Sequence, residues 1–318
     1  HASPNTFSSE GPLLIAAYGA LQDWDGIYLF AYDARHSDAH DTDGDWDSGF
    51  FDNFFDMNQH PSKMVNTALA ANLFRRADVA PAEQQIRVNF NAERELGILA
   101  SRGSAWNVAN ASHLNPSPRL AHTHRLALDT DDAPQGLDEP PAMDNTQPLV
   151  SDTGQLTWDL SRTGKGVVLV DTEHSKAVIG FIDGREFTLG GVTIAVGGTE
   201  QDWATVALSA QKGSFDQPEA PARLLLATTG LTDNTGMQWT SAARNSVGTR
   251  WGRKPSRVEV IPLTLTLPYA AERVSAWTLN ATGQRAQSLE VHGADNGSRL
   301  ELNGATGSLW YEIDVQAP

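Results

Sequence analysis

The segment from Ser8 to Asp33 constrains this chain more than any other stretch. Ser9 is placed to cap a helix, Pro12 suits its first turn, and Leu14, Ala17, Tyr18 and Leu21 recur at helical spacing. Asp25 and Gly26 break that pattern. Ile27 to Tyr32 is then a short apolar run of the kind buried on both faces in a parallel sheet. The pattern predicts a helix over 10–22 and a buried strand over 27–32. A buried parallel strand needs neighbours, and no second helix–strand unit follows it. The chain therefore reads as starting in the middle of a domain.

Residues 34–60 read as a long loop loaded with Asp, His and aromatics. Pro61 and Ser62 open a second helix over 62–77, with Val65, Ala68, Leu69 and Leu73 on one face and Ala80-Pro81 as its stop. Residues 81–149 form a connecting region. Within it Ile86 to Phe90 alternates like a strand, Ala92 to Leu99 suits one short helix, and 129–148 has the composition of a solvated linker. From Val150 the texture changes to short strands bounded by Gly and polar turns, which means antiparallel sandwiches. Asp183-Gly184 is a hairpin signal, and Leu267-Pro268 marks a seam. The expected layout is a β-sandwich over 150–267 with a small Ig-like module over 268–318 packed on it.

Composition excludes several classes. A net charge of −16 argues against nucleic acid, which demands clustered Lys and Arg to neutralise phosphates. The longest apolar runs fall far below the ~18 residues that span a bilayer, so no membrane segment is expected. Zero Cys removes disulfides, thiolate catalysis and cysteine metal sites together. The chain has no initiator Met and no signal-like leader, and it reads as a mature form or a fragment. Nine Trp residues suit sugar stacking and sandwich cores alike.

With its helix, its Gln22-Asp23-Trp24-Asp25-Gly26 turn and its apolar run, the first segment resembles the last βα units of a (β/α)8-barrel glycoside hydrolase. The clan is the large retaining one that includes β-galactosidases and cellulases. The resemblance covers residues 1 to about 80, and β-sandwich domains like those expected here follow the barrel in such enzymes. It implies a mainly β chain: C-terminal β-sandwich domains preceded by the last βα portion of the barrel. It also implies that the strand-seven nucleophile lies just before His1 and the acid/base glutamate further upstream. The enzyme would be secreted or periplasmic, act on carbohydrate, need no cofactor, and have its barrel completed by an N-terminal chain or fragment.

Barrel geometry then sorts the residues. Active sites sit at the C-terminal ends of barrel strands, so residues 1–10 and 33–60 face the site and Gln22 to Gly26 are structural. A shared cleft is expected from His1, Asn5, Tyr32, Asp33, Arg35 and Trp46. Glu10 and Asp33 are the best-placed carboxyl pair on that face, although the helix dipole alone favours Glu10 in a first turn. Asp41, Asp43, Asp45 and Asp52 have the alternation of a structural Ca2+ loop, but Trp46 stands where the turn glycine belongs. His36, His40 and His60 are scattered without metal-ligand spacing and read as surface residues. Nucleophile-elbow, P-loop and dinucleotide signatures are absent. The competing reading is a non-catalytic carbohydrate-binding or adhesive module, in which the helices are a remnant packed on the sheets.

Overall fold

A computed structural model describes residues 2–33, 49–93, 96–97, 100, 118–130, 135–137, 147–295 and 297–318. Helix α1 (Gly11–Leu21) and helix α2 (Pro61–Arg75) match the two expected helices. Ser9 does not cap α1. A 3-10 turn over Ser8–Glu10 precedes the helix, and the Ser9 hydroxyl is buried without a hydrogen-bond partner among the described residues. The two helices are parallel. Ser8 Oγ meets His60 Nε2 at 2.9 Å and Asn66 Nδ2 donates to Ser9 O at one end, while Gly19 meets Phe74 at the other.

The run 27–32 is the clearest departure from expectation. It has no regular structure, bends at Phe30 and Tyr32, and is neither a sheet strand nor buried. Its backbone from Ile27 to Phe30 makes no hydrogen bond among the described residues. Ile27 packs on the helix pair and Leu29 lies beside the same groove, near Ile15, Ala70 and Phe74, whereas Tyr28 is 96% exposed, Phe30 75% and Tyr32 55%. A strand buried on both faces needs sheet neighbours, and this one has a single covered face.

Strand β1 (Gln85–Asn89), expected from its alternation, pairs in parallel with β2 (Arg125–Asp129). Of the suggested helix over 92–99, residues 92–93 and 96–97 are described and are helical, while much of the 129–148 linker lies outside the described residues. Beyond them the chain is built of β3 (Leu149–Val150), β4 (Leu156–Asp159), β5 (Val167–Asp171), β6 (Ser175–Gly180), β7 (Glu186–Leu189), β8 (Val192–Val196), β9 (Ala204–Lys212) and β10 (Ala222–Thr229). It continues with β11 (Thr232–Thr235), β12 (Arg253–Val258), β13 (Leu263–Leu267), β14 (Val274–Leu279), β15 (Arg285–Leu289), β16 (Val291–Ala294), β17 (Gly297–Leu302) and β18 (Trp310–Val315).

These strands form a mainly β, sandwich-type fold. A nine-stranded antiparallel sheet runs β15-β14-β18-β10-β9-β6-β5-β4-β3, and a five-stranded one runs β16-β17-β13-β8-β7. Two sequence expectations are corrected here. The Asp183-Gly184 turn carries the chain from β6 in the large sheet to β7 in the small one, so it is a crossover and no hairpin. The tight hairpin is Gly190-Gly191, between β7 and β8, with Gly190 at φ 56°. Nor is Leu267-Pro268 a break between sheets. Strands β14 and β18 extend the large sheet beyond β10, and β17 pairs with β13, so 150–267 and 268–318 share both sheets.

The large sheet is covered on both faces. Val178, Val206, Leu208, Leu224, Leu226 and Ile313 meet Ile194, Leu265 and Leu300 of the small sheet. The alternate positions Val168, Val170, Ala177, Ile179, Ala207 and Ala227 meet Leu13, Ala17, Leu21, Leu69 and Leu73 of the helices. The period-two side-chain alternation of each strand thus feeds two cores at once. The result is three layers: helix pair, large sheet, small sheet. Among the described residues no helix is long and apolar enough to cross a membrane.

Candidate functional site

The region singled out by sequence is organised around the N-terminal ends of the parallel helices. Pro61 at the start of α2 fixes helical geometry, and His60 is the N-cap whose Nδ1 accepts from Lys63 N at 3.4 Å. With Nδ1 accepting, the proton of the neutral ring sits on Nε2 and donates to Ser8 Oγ. Burial, helped by the neighbouring Lys63 cation, holds His60 well below the usual histidine range and therefore neutral. His60 is thus a buried structural residue and not the surface histidine expected. Lys63 is buried as well. Its Nζ donates to Ser3 Oγ at 2.8 Å, and burial pulls its pKa down to about 8.

Ser3 ties this buried cluster to the rim. Its N–H donates to Phe54 O at 2.8 Å, Ala31 N donates to Phe55 O, and Asn58 N donates to Tyr32 O at 3.1 Å. Three segments distant in sequence (residues 2–5, 31–33 and 54–58) therefore converge on one edge. Tyr32 and Asp33 lie there, and Asp33 accepts from Asn58 Nδ2 at 3.1 Å. Asn5 stands at the same end, where its side chain accepts from Phe7 N at 2.9 Å to close a turn. Phe30, Phe55 and Phe54 stack edge to face, with centroids 5.1 and 4.9 Å apart. All three rings are exposed, as are Tyr28 and Tyr32. Phe51, by contrast, is buried against His60 and Trp251, and its backbone N–H donates to Asn234 Oδ1.

His1, Arg35 and Trp46 of the expected cleft, and Asp41, Asp43 and Asp45 of the expected Ca2+ loop, lie outside the described residues. Asp52 is described, and no cluster of three or more His, Cys, Asp or Glu able to hold a metal is found among the described residues.

Glu10 and Asp33 engage different elements. Glu10, at the start of α1, turns towards the sandwich, where the Trp203 side chain donates a hydrogen bond to its carboxylate. Burial outweighs that bond and raises the Glu10 pKa to about 7. Asp33 is held by Asn58 ahead of α2. Sequence reasoning did not find Lys63, Asn58 or the Phe54–Phe55 pair at the rim; the aromatic density of 50–55 was the available signal for the last. In the Gln22–Gly26 turn, Gln22 and Asp23 make structural contacts, whereas Trp24 is 50% exposed. Gln22 Nε2 donates to Ala121 O and His124 O, Gln22 Oε1 accepts from Leu126 N, and Asp23 pairs with Arg125.

No protein-family model, no curated protein and no solved structure matches this chain.

Proposed function

We propose that residues 1–80 are the closing α–β–α portion of a (β/α)8 barrel in a retaining glycoside hydrolase, braced by the sandwich behind it. One observation carries this reading. The run 27–32 passes along a parallel helix pair, packs Ile27 on it, sets Leu29, 40% exposed, beside the same groove, and leaves Tyr28, Phe30 and Tyr32 uncovered. It also runs from the C-terminal end of the pair, where Ile27 meets Gly19, back to the N-terminal end, where Tyr32 meets Asn58. In a (β/α)8 barrel each strand runs against its helices, covers them with one face, fills the interior with the other and pairs at both edges. Adjacent strands, from further chain or a second chain, would cover the exposed rings and satisfy the open backbone groups.

Those strands would also supply the two glutamates. The reaction is a double displacement. A carboxylate attacks the anomeric carbon while a carboxylic acid ~5 Å away protonates the leaving oxygen, and the same group then acts as base for the water that releases the sugar. Asn5, Tyr32 and Asp33 stand where the run ends and would meet the hydroxyls of a bound sugar, with His1, Arg35 and Trp46 as further contacts. A structural Ca2+ at Asp41, Asp43, Asp45 and Asp52 belongs to the same reading, as does a secreted or periplasmic location.

The test compares the 318-residue chain with a protein extended upstream of His1 along its open reading frame. Both are assayed on a panel of β-linked polysaccharides, with the anomeric configuration of the products read by NMR. The expected result is hydrolysis with retention by the longer protein and none by the shorter. Turnover by the 318-residue chain that Glu10→Gln or Asp33→Asn abolishes would overturn the reading, as would an extended protein without activity or without further strands.

A further inference from the structure

A second concave site lies between α1, the turn ahead of β2 and the outer strands of the large sheet. It encloses about 530 Å³, the size of a small-molecule site. Glu10, Leu14, Tyr18 and Gln22 line it at four-residue intervals, so the groove follows one face of the helix for ~18 Å. At the Glu10 end Phe7 packs on Phe181 and Trp203, with ring centroids 5.6 and 5.3 Å apart. At the Tyr18 end His122 packs between Tyr18 and Trp158, at 4.6 and 4.7 Å. Leu14, Val168 and Ile179 add an aliphatic lining.

Charge in this groove is confined to one place. Among the described residues that line it, Glu10 is the one acid, and no Lys or Arg lines it. Burial and the nearby Arg119 cation lower the His122 pKa to about 4, so the imidazole is uncharged at neutral pH. Arg119 itself stands on the His122 side, over the Trp158 ring at 5.7 Å from its centroid. The charged neighbours of Phe181 and Trp203 are paired with each other, Arg185 with Asp159 at 2.8 Å and Lys165 with Asp202. The Gln22 amide is taken by Ala121, His124 and Leu126.

We infer that this groove binds an organic ammonium ion, its head at Glu10 and its apolar body along Leu14 towards Tyr18 and Trp24. Charge complementarity selects the head, since a carboxyl among aromatic rings holds a cation both by ion pairing and by attraction to the rings. The Trp203 side chain donates to the Glu10 carboxylate, and a carboxylate accepts several hydrogen bonds, so an ammonium N–H adds to that contact without displacing it. The apolar walls select the body, because they gain from burying CH2 groups. An anion would face the Glu10 carboxyl. A hydroxyl-rich molecule would find few partners, for the Tyr18 hydroxyl and His122 Nδ1 are buried out of its reach. The net charge of −16 favours the approach of a cation. The assignment rests on this groove and not on the barrel reading.

Proton linkage makes the assignment testable. Burial raises the Glu10 pKa to about 7, so near neutrality the carboxyl is about half protonated, and a cation bound beside its ionised form must expel that proton. Tyr18, pushed up by burial, and His122 stay neutral across this range, and the amino terminus is the other group that acts on Glu10. Isothermal titration of the 318-residue chain compares octylammonium, octan-1-ol and octanoate, which share one body and differ in the head. Octylammonium keeps its charge as a lysine does, and it is expected to saturate one site about tenfold more tightly at pH 8 than at pH 6, as a pKa near 7 implies. Octan-1-ol should bind more weakly and octanoate not at all. Glu10→Gln is expected to flatten the pH profile and to weaken octylammonium about tenfold at pH 8 while leaving octan-1-ol unchanged. The amino terminus is present in both proteins, so its own titration cancels. Trp24→Ala should weaken octylammonium and octan-1-ol alike. No binding of octylammonium at millimolar concentration, octan-1-ol or octanoate binding as tightly, or a pH profile that survives Glu10→Gln would overturn the assignment.

Discussion

Glu10 shows how one side chain couples position to pH. It sits at the start of a helix, where the dipole favours a carboxylate, yet burial beside Trp203 raises its pKa from 4.5 to about 7. Between those values the folded protein holds a proton that the unfolded chain has released. Stability contributed by that proton is full below pH 4.5 and is lost as pH rises through 7. Glu10→Gln keeps the shape without the charge. Chemical denaturation from pH 4 to pH 8 should show the variant gaining on the parent by about 2 kcal/mol, since a tenfold change in proton affinity is worth ~1.4 kcal/mol and partial exposure discounts the total. A gap that does not change with pH would mean that Glu10 is solvated in the folded protein. Lys63 follows the opposite logic. Its pKa is pulled down to about 8, so the cost of burying its charge is present at neutral pH and relieved as pH rises from there towards 10.5.

At the scale of elements, the run 27–32 is a strand in pattern that found only one covered face. Its apolar run was legible, and Ile27 packs on the helices while Leu29, 40% exposed, borders the groove beside them. Its burial was not, because the second face and both edges depend on partners that no local pattern specifies. The exposed Phe30–Phe55–Phe54 stack is a surface of the kind that attracts partners. The double substitution Tyr28→Ser and Phe30→Ser should therefore lower binding of the fluorescent dye ANS several-fold and reduce self-association in ultracentrifugation, while leaving the thermal midpoint within a degree or two. A marked fall in midpoint instead would show that these rings support the fold from within. Helices α1 and α2 were readable for a different reason. Proline at the start and apolar spacing along the length are local signals that hold whatever the helix packs against. Capping was less so: the Ser9 hydroxyl is buried, and His60, a residue with no particular capping reputation, caps α2 because the fold also needs it against Ser8 and Phe51.

Across the whole molecule the large sheet is the organiser, with one core on each face. Strands β14 and β18 sit beyond β10 in that sheet although they come last in the chain. A chain ended at Leu267 should therefore fail to fold, for β10 would lose its partner β18 and β13 its partner β17. Circular dichroism should report loss of cooperative unfolding, whereas a truncated protein with an intact transition would restore the two-module division. Sequence alone determined the class of this protein: two helices followed by short, regularly punctuated strands, an acidic surface and no cysteine. Those features follow from local periodicity, turn chemistry and composition, which act within a few residues. Tertiary structure alone decided which strands share a sheet, that Asp183-Gly184 crosses between sheets, and that Tyr18, Trp24, His122 and Trp158 line one cavity. Pairing between distant strands is selected by whole-face burial rather than by any local pattern. A pocket assembled from residues over a hundred positions apart has no linear signature, because packing alone brings its walls together.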